Sequence, residues 1–405
     1  MILKTLMVFV AAWMCTVVWG QGTVQAWGRN NFYGQCDVPA DLGLCAAVAA
    51  GGDHTLGLLP SGLVRAWGSN DYFQSQVPRD LGKCVAIVAG VLHSLAITAT
   101  GTVRAWGLNT SGQCDVPLDL GHCVAVAGGG FHSIALGVGG TVRSWGDDSS
   151  GQCKTPLNLE KCIAIAAGNE HTVALQSDGI VRSWGSNWTG QASVPGNLGP
   201  CTAIAAGGYH CIAIRSDGSV RAWGANWSGQ CIVPADLGAC VAVSGGTSHT
   251  LALRTDGTVR AWGANADGQS DVPSDVVACT AITAGGAHSV VLAAGDLDGD
   301  GIRDPDDNCP TIDNPTQADC DNDGIGDACA VAAGAPDVNG NGVPDYCECI
   351  GDLFPNGTIN GADLGILLSE CGPALPTTVS DLDRDGAVDG SDLGYLLSQW
   401  GPCTN

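Results

Sequence analysis

Three sets of residues in this 405-residue chain are spaced as if for chemistry. The first is a series of carboxylates in the last third. Asp296, Asp298, Asp300, Asp304 and Asp307 stand at positions 1, 3, 5, 9 and 12 of a loop whose sixth residue is Gly301. Calcium takes oxygen ligands from such a loop, with glycine at position 6 for the sharp turn. Asp319, Asp321, Asp323 and Asp327 repeat the pattern around Gly324, and Asp337, Asn339, Asn341, Asp345 and Glu348 repeat it around Gly342. Two further loops follow. Asp352, Asn356, Asn360 and Asp363 form a weaker one, because Phe354 stands where an oxygen is needed, whereas Asp381, Asp383, Asp385, Asp389 and Asp392 are complete. The pattern predicts Ca2+ as the cofactor. An acidic disordered linker, the competing reading, gives no reason for the spacing.

The second set is a histidine every 39 residues, at His54, His93, His132, His171, His210, His249 and His288. One imidazole per repeat is too dispersed for a tetrahedral zinc site, so these read as scaffold, hydrogen-bonded to neighbouring backbone. The third set is cysteines nine residues apart: Cys36 and Cys45, Cys114 and Cys123, Cys153 and Cys162, Cys231 and Cys240. Each pair is expected to be a disulfide stapling one loop. Cys84, Cys201 and Cys279 lack the first partner, which is Ser75, Ala192 or Ser270. No nucleophile–base pair recurs and no phosphate loop follows a strand, so a non-catalytic protein is expected.

Composition says where such chemistry belongs. Twenty cysteines suit an exported protein, and Lys4 followed by the apolar run 6–19 and Gly20 reads as a secretory signal over 1–20 rather than an uncleaved anchor. No second apolar run predicts a membrane span. From Asp296 onward, 22 acidic residues face only Arg303 and Arg384, so about −20 of the net −24 sits there. Such a polyanion repels nucleic acid and invites cations.

The elements that must position these residues come from a repeat. Trp-Gly recurs at Trp27, Trp67, Trp106, Trp145, Trp184, Trp223 and Trp262. Each unit holds three strand-length apolar runs, such as IAIAAG (163–168), HTVAL (171–175) and TVRAWG (102–107), with glycine-bearing hairpin turns between the second and third. Three hairpin-linked strands make one blade. Seven blades in a ring make an all-β, seven-bladed propeller over 21–295. The chain starts on a third strand at Val24–Trp27 and stops on a second at His288–Leu292, so pairing these ends would close the ring. An open solenoid would leave both unpaired. Two variable sets fall at one end of the ring by strand counting. One precedes each histidine and includes Phe131 and Tyr209; the other follows Trp-Gly and includes Phe32, Tyr33, Tyr72, Phe73, Trp188 and Trp227. Aromatics on a rim suit a protein partner; loop drift is the alternative.

The elements WG-x-N-x-x-GQ, VP and AG-x-x-HS-x-AL, as at Trp106–Gln113, Val116-Pro117 and Ala127–Leu136, resemble the repeats of the regulator of chromosome condensation superfamily. The short period looks most like the propeller-type β-lactamase inhibitory proteins. That resemblance implies a fold more than an activity. The run over 296–350, with NCP at 308–310, resembles thrombospondin type 3 calcium repeats, which implies a Cys309–Cys329 disulfide. The duplication of 351–370 in 380–399 resembles dockerin type I modules, each a calcium loop leading into a short helix, which implies a cohesin-like partner. Gly361-Ala362 and Gly390-Ser391 stand where dockerins carry their recognition residues, which speaks against a general cohesin. The expectation is a secreted, calcium-binding scaffold for protein–protein interaction. The alternatives are a proteinaceous enzyme inhibitor and a binding subunit of an extracellular polysaccharide-degrading complex.

Overall fold

A computed structural model describes residues 22–30 and 32–295. Beyond them it describes 300, 302, 306–320, 323–337, 342–344, 347, 351–353, 358–373, 378, 380–383 and 385–402. The expected signal over 1–20 lies outside the described residues. The chain falls into two compact units, divided between Gly295 and Asp296.

In the first unit the described residues form seven three-stranded antiparallel sheets, numbered here by the repeat: 47–68, 84–107, 123–146, 162–185, 201–224, 240–263, and 279–294 with 22–28. Sheet two shows the plan. Cys84–Ala89 pairs with His93–Thr98, which pairs with Val103–Gly107, so His93 lies opposite Gly107 and Thr98 opposite Cys84. On the outer strand Val103 and Trp106 are buried on opposite faces, Val103 against the third sheet and Trp106 against the first, and Arg104 is half-exposed. In the seventh sheet the third strand is the chain's own start: Gly22–Gly28 runs antiparallel to His288–Ala294, with Trp27 opposite Ser289.

Each hydrophobic cluster straddles two sheets. Leu175 of the fourth packs with Ile204 and Trp223 of the fifth, and Val48 and Trp67 of the first pack with Val290 and Leu292 of the seventh. The first strands are built of alanine, valine and glycine because they line a central cavity of about 730 Å³, where all seven converge. These repeated blades are the arrangement of a β-propeller.

The histidines do more than touch nearby backbone. Each Nε2 lies 2.9–3.2 Å from the Ser, Thr or Cys side chain that follows the histidine of the next sheet. His288 reaches Thr55 of the first sheet, so the circuit closes. The hydroxyl or thiol donates to a connector glutamine carbonyl at 2.8–3.3 Å. The same carbonyl accepts Trp Nε1–H at 2.9–3.1 Å. A hydroxyl whose one proton goes to a carbonyl can only accept from the imidazole, so Nε2 carries the proton. Nδ1 is buried without a donor in all seven, and burial pushes the imidazoles down to about 3 or about 4. Glycine precedes each turn because a Cβ at Gly90 would collide with the His93 ring and, at 2.8 Å, with the Gly129 carbonyl.

The connector disulfides are not formed. Cys36, Cys45, Cys114, Cys123, Cys153, Cys162, Cys231 and Cys240 are free thiols. Their connector crosses the full length of the blade. Cys114 donates to the Leu108 carbonyl at the Trp-Gly end, while Cys123 enters its sheet opposite Gly137 at the hairpin end. Those ends are five residues apart along the middle strand, roughly 17 Å at a strand's rise, against about 4–7 Å between the Cα atoms of a disulfide. Ser75 and Ser270 make the same bond through Oγ, which is why cysteine and serine interchange there.

The second unit has a small core of Ile359, Leu367, Leu382, Val388 and Leu396. Helices Gly361–Ser369 and Gly390–Ser398 each start on a capping box, Asn360 with Asp363 and Asp389 with Asp392. The two halves exchange short strands: Thr358–Ile359 pairs with Gly401–Pro402, and Gly372–Pro373 with Ala387–Val388. Cys309 is joined to Cys329 and Cys320 to Cys347. Cys371 is an exposed thiol.

Candidate functional site

Two places carry the side chains singled out by sequence. The first is the Trp-Gly end of the propeller. The carbonyl of the residue before each histidine accepts the N–H of the residue after each Trp-Gly, as in Ser186 to Glu170 at 2.8 Å and Ala225 to Tyr209 at 2.9 Å. Both variable sets are thereby tied to one rim. The turn glycine needs positive φ (+103° at Gly224), and a Cβ there would meet the Tyr209 carbonyl. Beyond it the loop is braced from inside. Asn226 Oδ1 accepts the Cys231 N–H, and Gln230 Oε1 accepts the Ser228 N–H, each at 2.9 Å. These two bonds brace the loop that carries Trp227 outward, and Gln230 Nε2 is buried there without a partner.

Trp188 and Trp227 are 67% and 63% exposed, yet they pack on each other. Their ring centroids are 5.6 Å apart, and Tyr209 completes the cluster at 5.6 Å from Trp188 and 6.0 Å from Trp227. Tyr209 and Trp227 belong to sheet five and its outgoing loop, Trp188 to the loop entering it. A second group gathers where the loops leaving the seventh and first sheets adjoin. The charge of Asp71 beside Tyr33 pushes its phenol up, and Tyr72 lies close enough to add to the effect. Phe32 and Phe73 are exposed beside them in sequence. Phe131 is exposed on the same rim, and among the described residues no ring pair links it to the cluster. The bracing Asn and Gln were missed at the sequence level, although the recurring N-x-x-GQ was their signal.

The second place is the acidic loops. Asp296, Asp298, Asp304, Asp321, Asn339, Asn341, Asp345, Glu348 and Asn356 lie outside the described residues. Those that remain share one geometry. The position-1 carboxylate accepts the position-6 glycine N–H: Asp319 from Gly324, Asp337 from Gly342 and Asp381 from Gly386, at 3.0–3.1 Å. The position-5 carboxylate accepts the N–H two residues on: Asp300 from Ile302, Asp323 from Ile325 and Asp385 from Ala387, at 2.7–2.9 Å. Asp327 is buried and accepts the Cys320 N–H at 3.0 Å. Asp352 is half-buried. Asp363 and Asp392 are fully buried. Asp392 takes the Leu382 and Asp389 N–H groups at 2.6 and 2.7 Å, and Asp363 takes the Asn360 N–H. Ser391 on Asp389 holds that carboxyl below its ordinary range.

Asp381, Asp383 and Asp385 bring one oxygen each to within 4.8 Å of the others. One buried oxygen on each of Asp307, Asp319 and Asp381 has no hydrogen-bond donor. Buried anionic oxygens without donors are costly, and an all-oxygen set of this kind fits a hard divalent cation.

Comparison with known proteins bears on the propeller alone. The regulator of chromosome condensation (RCC1) repeat matches residues 45–74, 84–113, 123–152, 162–191, 201–230 and 240–269. No curated protein matches the chain in sequence. Among solved structures, Prp20p from Saccharomyces cerevisiae, described with its binding to Gsp1p and histones, is 19% identical with a TM-score of 0.59, over 69% of this chain and 93% of Prp20p. The same yeast protein bound to Kap60 gives 19% and 0.60, over 73% of this chain and 95% of the other. Human WBSCR16 gives 20% and 0.57, over 67% and 100%. The chain therefore carries RCC1 repeats, folded as an RCC1-like propeller.

Proposed function

We propose that this chain is an exported, non-catalytic scaffold. Its seven-bladed propeller binds a protein partner at the Trp-Gly rim, and its acidic C-terminal unit, a thrombospondin type 3-like stretch followed by a dockerin-like pair, is ordered by calcium and spaces or docks the propeller. The observation that carries the partner reading is the Trp188–Tyr209–Trp227 cluster. Two tryptophans remain mostly in water on loops that asparagine and glutamine side chains brace from inside. Rigid, exposed aromatic anchors are what interface hot spots are made of, and their ordering cost on binding is already met by the fold. That propellers of this fold engage proteins, as Prp20p does Gsp1p, is consistent with the reading.

In the acidic unit, Asp381, Asp383 and Asp385 would hold the ion with Asp389, while Asp319 and Asp323 would serve the loop around Gly324. Calcium would supply the counter-charge that lets these carboxylates stay together. Asp392 orders the loop by binding its backbone N–H groups.

The test is a pull-down from the native surroundings with the full chain. A single dominant partner is expected, lost in Trp188→Ala/Trp227→Ala with the melting temperature unchanged. A partner retained by that variant refutes the rim. The inhibitor alternative has one observation in its favour: rings already packed on one another suit insertion into a partner's cleft. Loss of a hydrolase's activity on binding would select it.

A further inference from the structure

We infer that the partner surface received by this rim is cationic, a protein patch carrying lysine or arginine next to apolar side chains; this rests on the rim reading above. The observation is how charge is divided within the propeller. Residues 22–295 contain 18 acidic and 13 basic side chains. At the Trp-Gly end, counted over the turns before each histidine and the loops through two residues past each glutamine, there are nine acidic residues and only Arg29 and Lys154. Arg29 is held at 3.0 Å by Asp267, and Lys154 lies 3.9 Å from Asp148. Of the other eleven basic residues, Arg79 lines a cavity with Phe73 and Gly107 at the Trp-Gly end, and ten lie toward the hairpin end with nine acidic ones, many in ladder pairs such as Arg65–Asp41, Arg104–Asp80 and Arg260–Asp236. The propeller's whole negative excess therefore belongs to one rim, the one that carries the exposed aromatics.

The two features coincide in place. Glu170 holds the same turn position as Tyr209, one sheet earlier, and its carbonyl ties the loop that presents Trp188. Asp147 and Asp148 begin the preceding loop. Lysine and arginine bury their aliphatic stems on apolar surface and keep the charged head in polar surroundings. Over a tryptophan face they gain a cation–π contact, and the carboxylates beside it receive the head. An acidic partner would meet like charge over most of the rim, where carboxylates outnumber cations. A field of one sign at a rim also raises the association rate of an oppositely charged surface, in a salt-dependent way.

The test is selection from a random-peptide display library on the immobilised full chain in calcium buffer, keeping only peptides lost on Trp188→Ala/Trp227→Ala. Peptides that bind the acidic unit are indifferent to that change and drop out. The retained peptides are expected to be rich in lysine and arginine beside apolar residues, and to bind roughly tenfold more weakly to Glu170→Gln/Asp148→Asn and more weakly again in high salt. Asparagine is what six other repeats carry at the position of Asp148, so folding is spared, and an unchanged melting curve verifies it. Retained peptides that are neutral or acidic, or indifferent to Glu170→Gln/Asp148→Asn, overturn the cationic partner and leave the rim standing. If no peptide depends on the tryptophans, the rim reading falls and this inference with it.

Discussion

In residues 22–295 the polar atoms deepest in the fold are uncharged: imidazole, hydroxyl, indole N–H and glutamine carbonyl, linked from sheet to sheet and back to the first. Among the described residues from 300 onward the buried polar side chains are mostly carboxylates, held by backbone N–H groups, with three carboxylate oxygens left without donors and five buried side chains in the core that joins the duplicated halves. The unpaired buried atoms of the first unit are neutral, imidazole Nδ1 foremost, whereas those of the second include carboxylate oxygens, which are costlier to bury. Repetition alone does not decide this, since both are built from repeats; what differs is whether the recurring polar residue is neutral at the pH of the surroundings.

This contrast can be broken most directly by chelation. EDTA is expected to abolish the ordered fold of 296–405, seen as lost amide protection there, while the propeller's melting transition stays in place. Equal loss in both units would show that they are not independent.

Acid probes the other side. Each ring histidine has a folded value near 3 or 4 against an ordinary value near 6.5, so the unfolded chain binds protons that the folded one refuses. The stability from keeping them neutral is complete above about pH 6.5. It declines as pH falls toward about 3–4, by up to about 1.4 kcal/mol per pH unit for each histidine. Urea midpoints between those limits measure it, and a flat profile would mean the imidazoles are not excluded from protons.

Packing supplies a sharper local test. Gly90→Ala should cost about 2–4 kcal/mol, because its Cβ must displace the His93 ring or the Gly129 backbone. The same change at Gly394, with nothing within 4 Å of its Cβ, should stabilise its helix by about 1 kcal/mol. Reductant separates the units again: opening Cys309–Cys329 should cost the acidic unit about 2–3 kcal/mol, while the connector thiols leave the propeller's melting temperature unmoved. The smallest effect is expected from Cys211→Ser, which restores the hydroxyl present in the other six sheets. It should raise stability by about 0.5–1 kcal/mol, with a loss pointing to a packing role for the sulfur.

Much of this was readable from spacing. The period of Trp-Gly and histidine predicts the sheets, the half-units at Val24–Trp27 and His288–Leu292 predict which ends pair, and strand direction alone places Tyr209 with Trp188 and Trp227. The cysteines were misread because nine residues resemble a short loop, whereas here they traverse a blade. Their recurrence reflects separate small-residue roles at its two ends, so Cys84, Cys201 and Cys279 need no partner. The histidine bonds were placed on the wrong neighbour, since a contact to the next repeat leaves no local pattern.

By itself the sequence determined period, strand polarity, the charge of each unit and the glycines that its turns require, because each depends on residues close along the chain. Only the tertiary structure decided that seven imidazoles form one closed circuit, that three aromatics from two loops and a turn meet within 6.0 Å, and that the propeller's negative charge collects at one rim. Those facts depend on which repeats become neighbours across a ring, and distance through space is not written in distance along the chain.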